Sequence, residues 1–213
     1  MIHHGIRANG KHSYMDFDLF LRSRQIGVPE KKSVRQSVPY MSGFYDFSAI
    51  NGEPAWGERP ATYSFDVIGS TPEEVETLRD RILAWLCNIH DVDIFDDTMP
   101  DFHFHGSYDS CDVEEDESGL AVTLTATFIV GPFKIANAPV VRKLAVGDNI
   151  IVNDGQTVYG TASCEGNCTI AMNGTTQPIS GTGIALLMPI RRGSQIVTVS
   201  GAAATLTYTP EVF

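Results

Sequence analysis

Residues Ser70 to His90 constrain this chain more than any other stretch. Thr71 is placed to cap a helix, with Pro72 at its first position. Glu74 stands three residues on, where its side chain reaches back to the cap. Glu73, Glu74 and Glu76 put negative charge at the positive end of the helix dipole. Val75, Leu78, Ile82, Trp85, Leu86 and Ile89 then recur at the spacing of one buried face. About 17 residues at ~1.5 Å each predict a rod of roughly 25 Å. No second helix of this quality is readable elsewhere, and most other segments alternate as strands do. One amphipathic helix among strands must lay its stripe on a sheet, so the expected class is α+β and mostly β.

Two composition shifts coincide near Asn137-Ala138-Pro139. The net charge is −11. From Pro139 onward Asp148, Asp154, Glu165 and Glu211 balance Arg142, Lys143, Arg191 and Arg192, so the excess lies before that point. Of the twenty Phe, Tyr and Trp residues, only Tyr159, Tyr208 and Phe213 lie beyond it. The expectation is two domains, 1–137 and 138–213. An acidic first domain argues against tight nucleic-acid binding, which needs clustered Lys and Arg. The start Met1-Ile2-His3-His4-Gly5 lacks the apolar run of a signal peptide. The longest apolar run, Ile184–Ile190, is too short to span a membrane. Synthesis in the cytosol is expected.

In the first domain, Met15, Phe17, Leu19 and Leu21 alternate with Tyr14, Asp16, Asp18 and Phe20, which predicts a half-buried strand over 13–26. Lys31–Val38 and Phe44–Phe47 flank Pro39-Tyr40-Met41-Ser42-Gly43 and read as a hairpin rich in aromatics. A lone hairpin is marginal in water, so this one is expected to lie on another surface. Asn51–Pro60 is loop chemistry, and Tyr63, Phe65 and Val67 alternate into the helix. Asp91–Phe95 and Phe102–Tyr108 read as short strands, Cys111–Ser118 as an acidic loop. Leu120, Val122, Leu124, Ala126, Phe128 and Val130 form the longest alternation, with Thr123, Thr125 and Thr127 facing the other way. Beyond Pro139, close-spaced turn signals and short strands suggest a small β-sandwich or open barrel.

Each candidate site competes with a plainer reading. His103 and His105 share one strand face and could join His90 and Cys111 around zinc, but no ligand spacing supports that over ordinary strand positions. Asp91, Asp93, Asp96 and Asp97 lack the Gly and distal Glu of a calcium loop. They read as a solvated turn, where alanine should be tolerated. Asp112, Glu114, Glu115, Asp116 and Glu117 read as a solvated loop. Cys164 and Cys168 flank Glu-Gly-Asn. A disulfide across a hairpin is possible there, with two free thiols expected in a reducing cytosol. Asn167 and Asn173 begin Asn-x-Thr triplets of the chance kind. Gly-x-Ser-x-Gly, P-loop and dinucleotide patterns are absent, and no carboxylate pair stands out. The reading is therefore a non-enzyme with no catalytic, metal or cofactor residues.

The order of segments resembles the distal tail protein family of phages with long, non-contractile tails. The resemblance rests on extended Ser13–Ile26, Pro29-Glu30, Val38-Pro39-Tyr40 running into Phe44-Tyr45-Asp46-Phe47-Ser48, the strand from Glu58-Arg59 to Phe65, the Ser70-Thr71-Pro72-Glu73 helix start, and the closing strand to Gly131-Pro132-Phe133. It spans about residues 10–137. It implies a β-sandwich with a helix and a protruding hairpin that reaches the next subunit of a hexameric ring. It also implies a place at the virion tail tip, between the tail tube protein and the tip hub, lysin and receptor-binding or adhesin proteins, with DNA passing through unheld. The family often carries a galectin-like second domain, and Pro139–Phe213 is shorter than such domains usually are. A carbohydrate-binding β-sandwich is the alternative reading.

Overall fold

The computed structural model describes residues 4–49 and 53–213. Met1–His3, and Ile50–Gly52 with the first residues of the expected 51–60 loop, lie outside the described residues. The chain is mostly strand and divides into two compact units between Pro132 and Phe133.

The first unit contains β1 (Ile6–Ala8), β2 (Lys11–His12), α1 (Ser13–Phe17), β3 (Phe20–Ile26), β4 (Arg35–Gln36), β5 (Tyr45–Asp46), β6 (Arg59–Ile68), α2 (Pro72–Cys87), β7 (Val92–Asp96), β8 (Phe102–Glu115) and β9 (Ala121–Val130). Its main strands are ordered β2-β1-β7-β8-β9-β6-β3. Strands β7 and β3 are four steps apart on this path, roughly 19 Å if the sheet were flat. Yet Arg24 on β3 lies 2.6 Å from Asp96 on β7. The sheet is therefore rolled until β3 and β7 face each other across a core of Phe65, Phe104, Leu124 and Phe128.

Helix α2 closes that core. Val75, Ile82, Trp85 and Leu86 are buried as the periodicity predicts, with Ile89 just beyond. Trp85 donates its indole N–H to the Ala8 carbonyl at 3.1 Å and stacks on Phe17. Thr71 caps the helix by accepting from Glu74 N–H at 3.2 Å. The Glu74 carboxylate accepts from Ser70 N–H at 2.8 Å, one residue ahead of the cap.

Two expectations need correction. Ser13–Phe17 is a short helix rather than the start of a strand, so Met15 is exposed and Phe17 buried. The His12 side chain caps it, Nδ1 accepting from the Tyr14 and Met15 N–H groups at 3.1 and 3.2 Å. That role leaves Nε2 to donate to Asp97 at 2.9 Å. The acidic segment is also strand in large part. Asp112, Glu114 and Glu115 continue β8 and pair with Thr125, Thr123 and Val122 of β9. Only Asp116 and Glu117 enter the turn at Gly119.

The second unit comprises β10 (Lys134–Ala136), β11 (Val140–Leu144), β12 (Gly147–Asn153), β13 (Gly160–Met172), β14 (Thr175–Ala185), β15 (Gly193–Gly201), β16 (Ala204–Tyr208) and β17 (Glu211–Val212). It begins ahead of the composition shift because β10 pairs with β17 at the far end of the chain. Its centre is β13, whose first half pairs with β16, whose second half pairs with β15, and whose other edge carries β14. Ile170, Met172, Ile190, Val197 and Leu206 fill its core. Residues 186–190 are irregular rather than strand, and Ile190 is held by a single bridge to Val158.

Candidate interaction site

The most conspicuous surface is the segment between β3 and β6. Gly27 N–H donates to the Pro60 carbonyl, Gly57 N–H to Glu30, and Lys32 N–H to Ala55, all at 2.8 Å. These bonds make the base of an arm. Farther out, Phe47 N–H donates to the Val34 carbonyl, and Arg35 and Gln36 pair with Asp46 and Tyr45. The turn closes by Met41 N–H to the Val38 carbonyl at 3.1 Å, with Tyr40 at φ 67°. Ser48 fixes the inner end, its hydroxyl accepting from Val34 N–H and its own N–H donating to Asp46. Those bonds from Ser48 hold the Asp46 carboxyl below its usual pKa.

β4 and β5 form a separate two-stranded sheet. Val34, Val38, Tyr40, Met41, Phe44, Tyr45 and Phe47 are all exposed. Arg35 lies over the Phe44 ring at 4.6 Å, and Tyr45 and Phe47 stack at 6.2 Å. The arm thus satisfies its backbone locally and leaves its apolar side chains bare. That is the composition of a contact surface, since a few scattered apolar residues need no explanation but a concentrated set does.

The sequence-read titratable residues scatter. His105 is held between Asp93 at 2.8 Å and Asp91 at 3.0 Å, and these bonds raise its pKa, Asp93 contributing most. His103 stacks on Phe95 and lies 3.6 Å from Asp93. His90 Nδ1 lies 3.3 Å from the Ser107 hydroxyl. Cys111 packs along the core farther down β8. Among the described residues no group of three or more His, Cys, Asp or Glu is arranged to hold a metal ion.

The aspartates likewise part company. Asp97 accepts from Gly5 N–H at 2.8 Å and from His12. Asp96 is buried, accepting from Tyr63, Arg24 and Thr98. It is not part of a solvated turn. Burial first, and the neighbouring carboxylate second, hold the Tyr63 phenol above its ordinary pKa. Sequence reasoning missed this group, and its only local sign was an Asp ending an apolar strand.

On the sheet face away from the core, Thr62 meets Thr127 at 3.2 Å, Ser64 meets Thr125 at 3.0 Å, and Thr123 donates to Asp66 at 2.9 Å. The threonines set apart in the sequence form a hydroxyl ladder there.

A rolled sheet closed by one helix, an outstanding apolar arm and a small all-β second unit define a mostly β protein of the α+β class. The same architecture occurs in the crystal structure of SPP1 Dit (gp 19.1), whose description calls it a paradigm of hub adsorption apparatus in phages infecting Gram-positive bacteria. The TM-score is 0.74 over 99% of both chains, at 12% identity, so the likeness is one of fold. It is the fold that the segment order implies. No protein-family model matches the chain, and no curated protein does.

Proposed function

We propose that this chain is a structural protein of a phage tail tip, without enzymatic activity. Identical copies close a ring, six in number by the sequence resemblance, through a head-to-tail interface. The ring joins the tail tube protein to the tip hub or lysin and to receptor-binding or adhesin proteins, and leaves a channel for DNA. The arm carries this reading: it holds its own backbone bonds while its aromatic residues stay bare, so a neighbouring copy is the surface they suit. The acidic first unit and the fold likeness support it. Among the described residues no helix is long and apolar enough to cross a membrane. The place of action is the virion tail tip, after synthesis in the host cytoplasm.

The test is sedimentation velocity on the wild-type chain and on Phe44→Asp/Tyr45→Asp, alone and mixed with the tail tube protein. The wild type is expected to form closed oligomers, and the variant to remain monomeric with an unchanged unfolding midpoint. A wild-type chain that stays monomeric in both settings overturns the ring.

A further inference from the structure

Cys164 and Cys168 are both buried, and both belong to β13. They are not partners across a hairpin, because Glu165-Gly166-Asn167 is a bulge within one strand rather than a turn between two. The register shows how the bulge works. From Cys164–Gly181 to Cys168–Ile179, β13 advances four residues while β14 advances two. The surplus is pushed outward: Glu165, Gly166 and Asn167 are exposed, with Gly166 at φ 122°. The two cysteines are thereby placed opposite residues only two strand steps apart, a span of roughly 6.6 Å. That is within the Cα separation of disulfides, roughly 4.4–6.8 Å. Both side chains are buried in the core of this unit. In a regular strand the same two residues would be roughly 13 Å apart.

Two cavities of about 430 Å³ each open beside the pair. One is lined by Cys164 with Lys143, Ser163 and Ala204, the other by Cys168 with Asn167, Ile179 and Gly201. Each cysteine thus borders a cavity although the residue itself is buried.

We infer that Cys164 and Cys168 are an oxidisable pair, brought into bonding register by the bulge, that closes to a disulfide when the protein meets a peroxide. The chemistry balances with hydrogen peroxide as oxidant. One thiol sulfur attacks a peroxide oxygen, the O–O bond breaks, and the departing hydroxide takes the thiol proton to become water. The resulting sulfenic sulfur is attacked by the second sulfur, and its hydroxyl leaves with the second proton as another water. Two thiols are oxidised by two electrons, and one peroxide is reduced to two waters. Burial first, and the neighbouring Cys164 side chain second, push the Cys168 thiol up to about 11. Reaction is therefore slow at neutral pH, and the pair stays reduced through cytosolic assembly.

The inference does not depend on the ring, since it is tested on the purified chain in either oligomeric state. The protein is treated with hydrogen peroxide, quenched, alkylated with iodoacetamide without reductant and digested with trypsin. Both cysteines fall in one peptide, Leu144–Arg191. That peptide is expected to lose two hydrogens and all alkylation, while exposed Cys87 remains alkylated. In Cys168→Ala, Cys164 is expected to stop at the sulfenic acid and be trapped by dimedone. Independent alkylation of both cysteines, over-oxidation without a bridge, or a bridge from either one to Cys87 or Cys111 overturns the inference.

Discussion

Arg24 Nε lies 2.6 Å from Asp96 Oδ2, and this contact joins β3, one end of the rolled sheet in the first unit, to β7, four strands away in the sheet order. The Asp96 side chain is fully buried, the Arg24 side chain about a third exposed. Tyr63 adds a bond at 3.0 Å, and the second carboxylate oxygen takes two from Thr98. The desolvated carboxylate is thus fully hydrogen-bonded. Asp96→Ala leaves Arg24 and Tyr63 without their acceptor. The expected loss is about 3 kcal/mol, the low end for a broken buried pair because Arg24 keeps some water. Urea unfolding of Asp96→Ala, Arg24→Leu and the double variant checks it. A double variant less damaged than the sum of the two singles is the expected sign of the pair.

That contact also marks where sequence reasoning stops. Helix α2 is legible because its cap, its acidic first turn and its apolar stripe lie within one short stretch. Strands β6 and β9 are legible because one face alternates. The arm is legible as a hairpin with more aromatic surface than it can use. By contrast, Met15, Phe17, Leu19 and Leu21 alternate like a strand, while the turn they enter is made helical by His12, whose ring is held by Asp97, 85 residues away. The bulge at Gly166 carries the same residues as a turn. Only its partner strands decide which it becomes. In the cluster from Asp91 to Asp97, each carboxylate takes its character from a distant partner, so composition alone could not separate buried Asp96 from exposed Asp91.

The cap of α2 should cost little and locally. Thr71→Ala removes the side-chain oxygen that accepts from Glu74 N–H. The expected destabilisation is about 1 kcal/mol. Thr71→Ser should restore most of it. Hydrogen exchange should show faster opening of the first turn with little change at Ile82 and Leu86.

Aromatic residues of the arm and of the core should respond in opposite ways. Phe44→Ser is expected to change the stability of a single chain by less than about 0.5 kcal/mol, as at other exposed positions. Phe104, wholly buried beneath the sheet, should cost about 3–5 kcal/mol on conversion to alanine. Denaturant midpoints at a concentration low enough to keep the chain monomeric make the comparison. An arm variant as damaging as Phe104→Ala would mean that the arm packs on its own subunit.

His105 gives a pH dependence of stated sign. Its pKa is raised above 6.5 by Asp93 and then Asp91. A group bound more tightly to its proton when folded contributes its full stability below the unfolded value, near 6.5, and loses it as pH rises through the folded value. The effect is modest because the side chain is nearly half exposed. Unfolding midpoints should fall slightly through this window in the wild type and stay flatter in His105→Gln. Titration of the imidazole carbon-bound protons by NMR should give a midpoint above 6.5.

Arg59 is a buried charge without an ion partner among the described residues. It is 6% exposed, and its guanidinium sits 4.9 Å from the Phe104 ring centre. Nη1 donates to the Gly27 carbonyl at 3.4 Å, while Nε and Nη2 have no acceptor among the described residues. Burial alone pushes its pKa down. An uncompensated buried cation opposes folding, whereas its methylene stem contributes packing at the base of the arm. Separating the two is straightforward. Arg59→Met keeps a stem of similar length and removes the charge, so its unfolding midpoint should equal or exceed that of the wild type. Arg59→Ala removes both and leaves a void beside Phe104, so its midpoint should fall. A loss in Arg59→Met as large as in Arg59→Ala would show that the charge itself stabilises this corner of the fold.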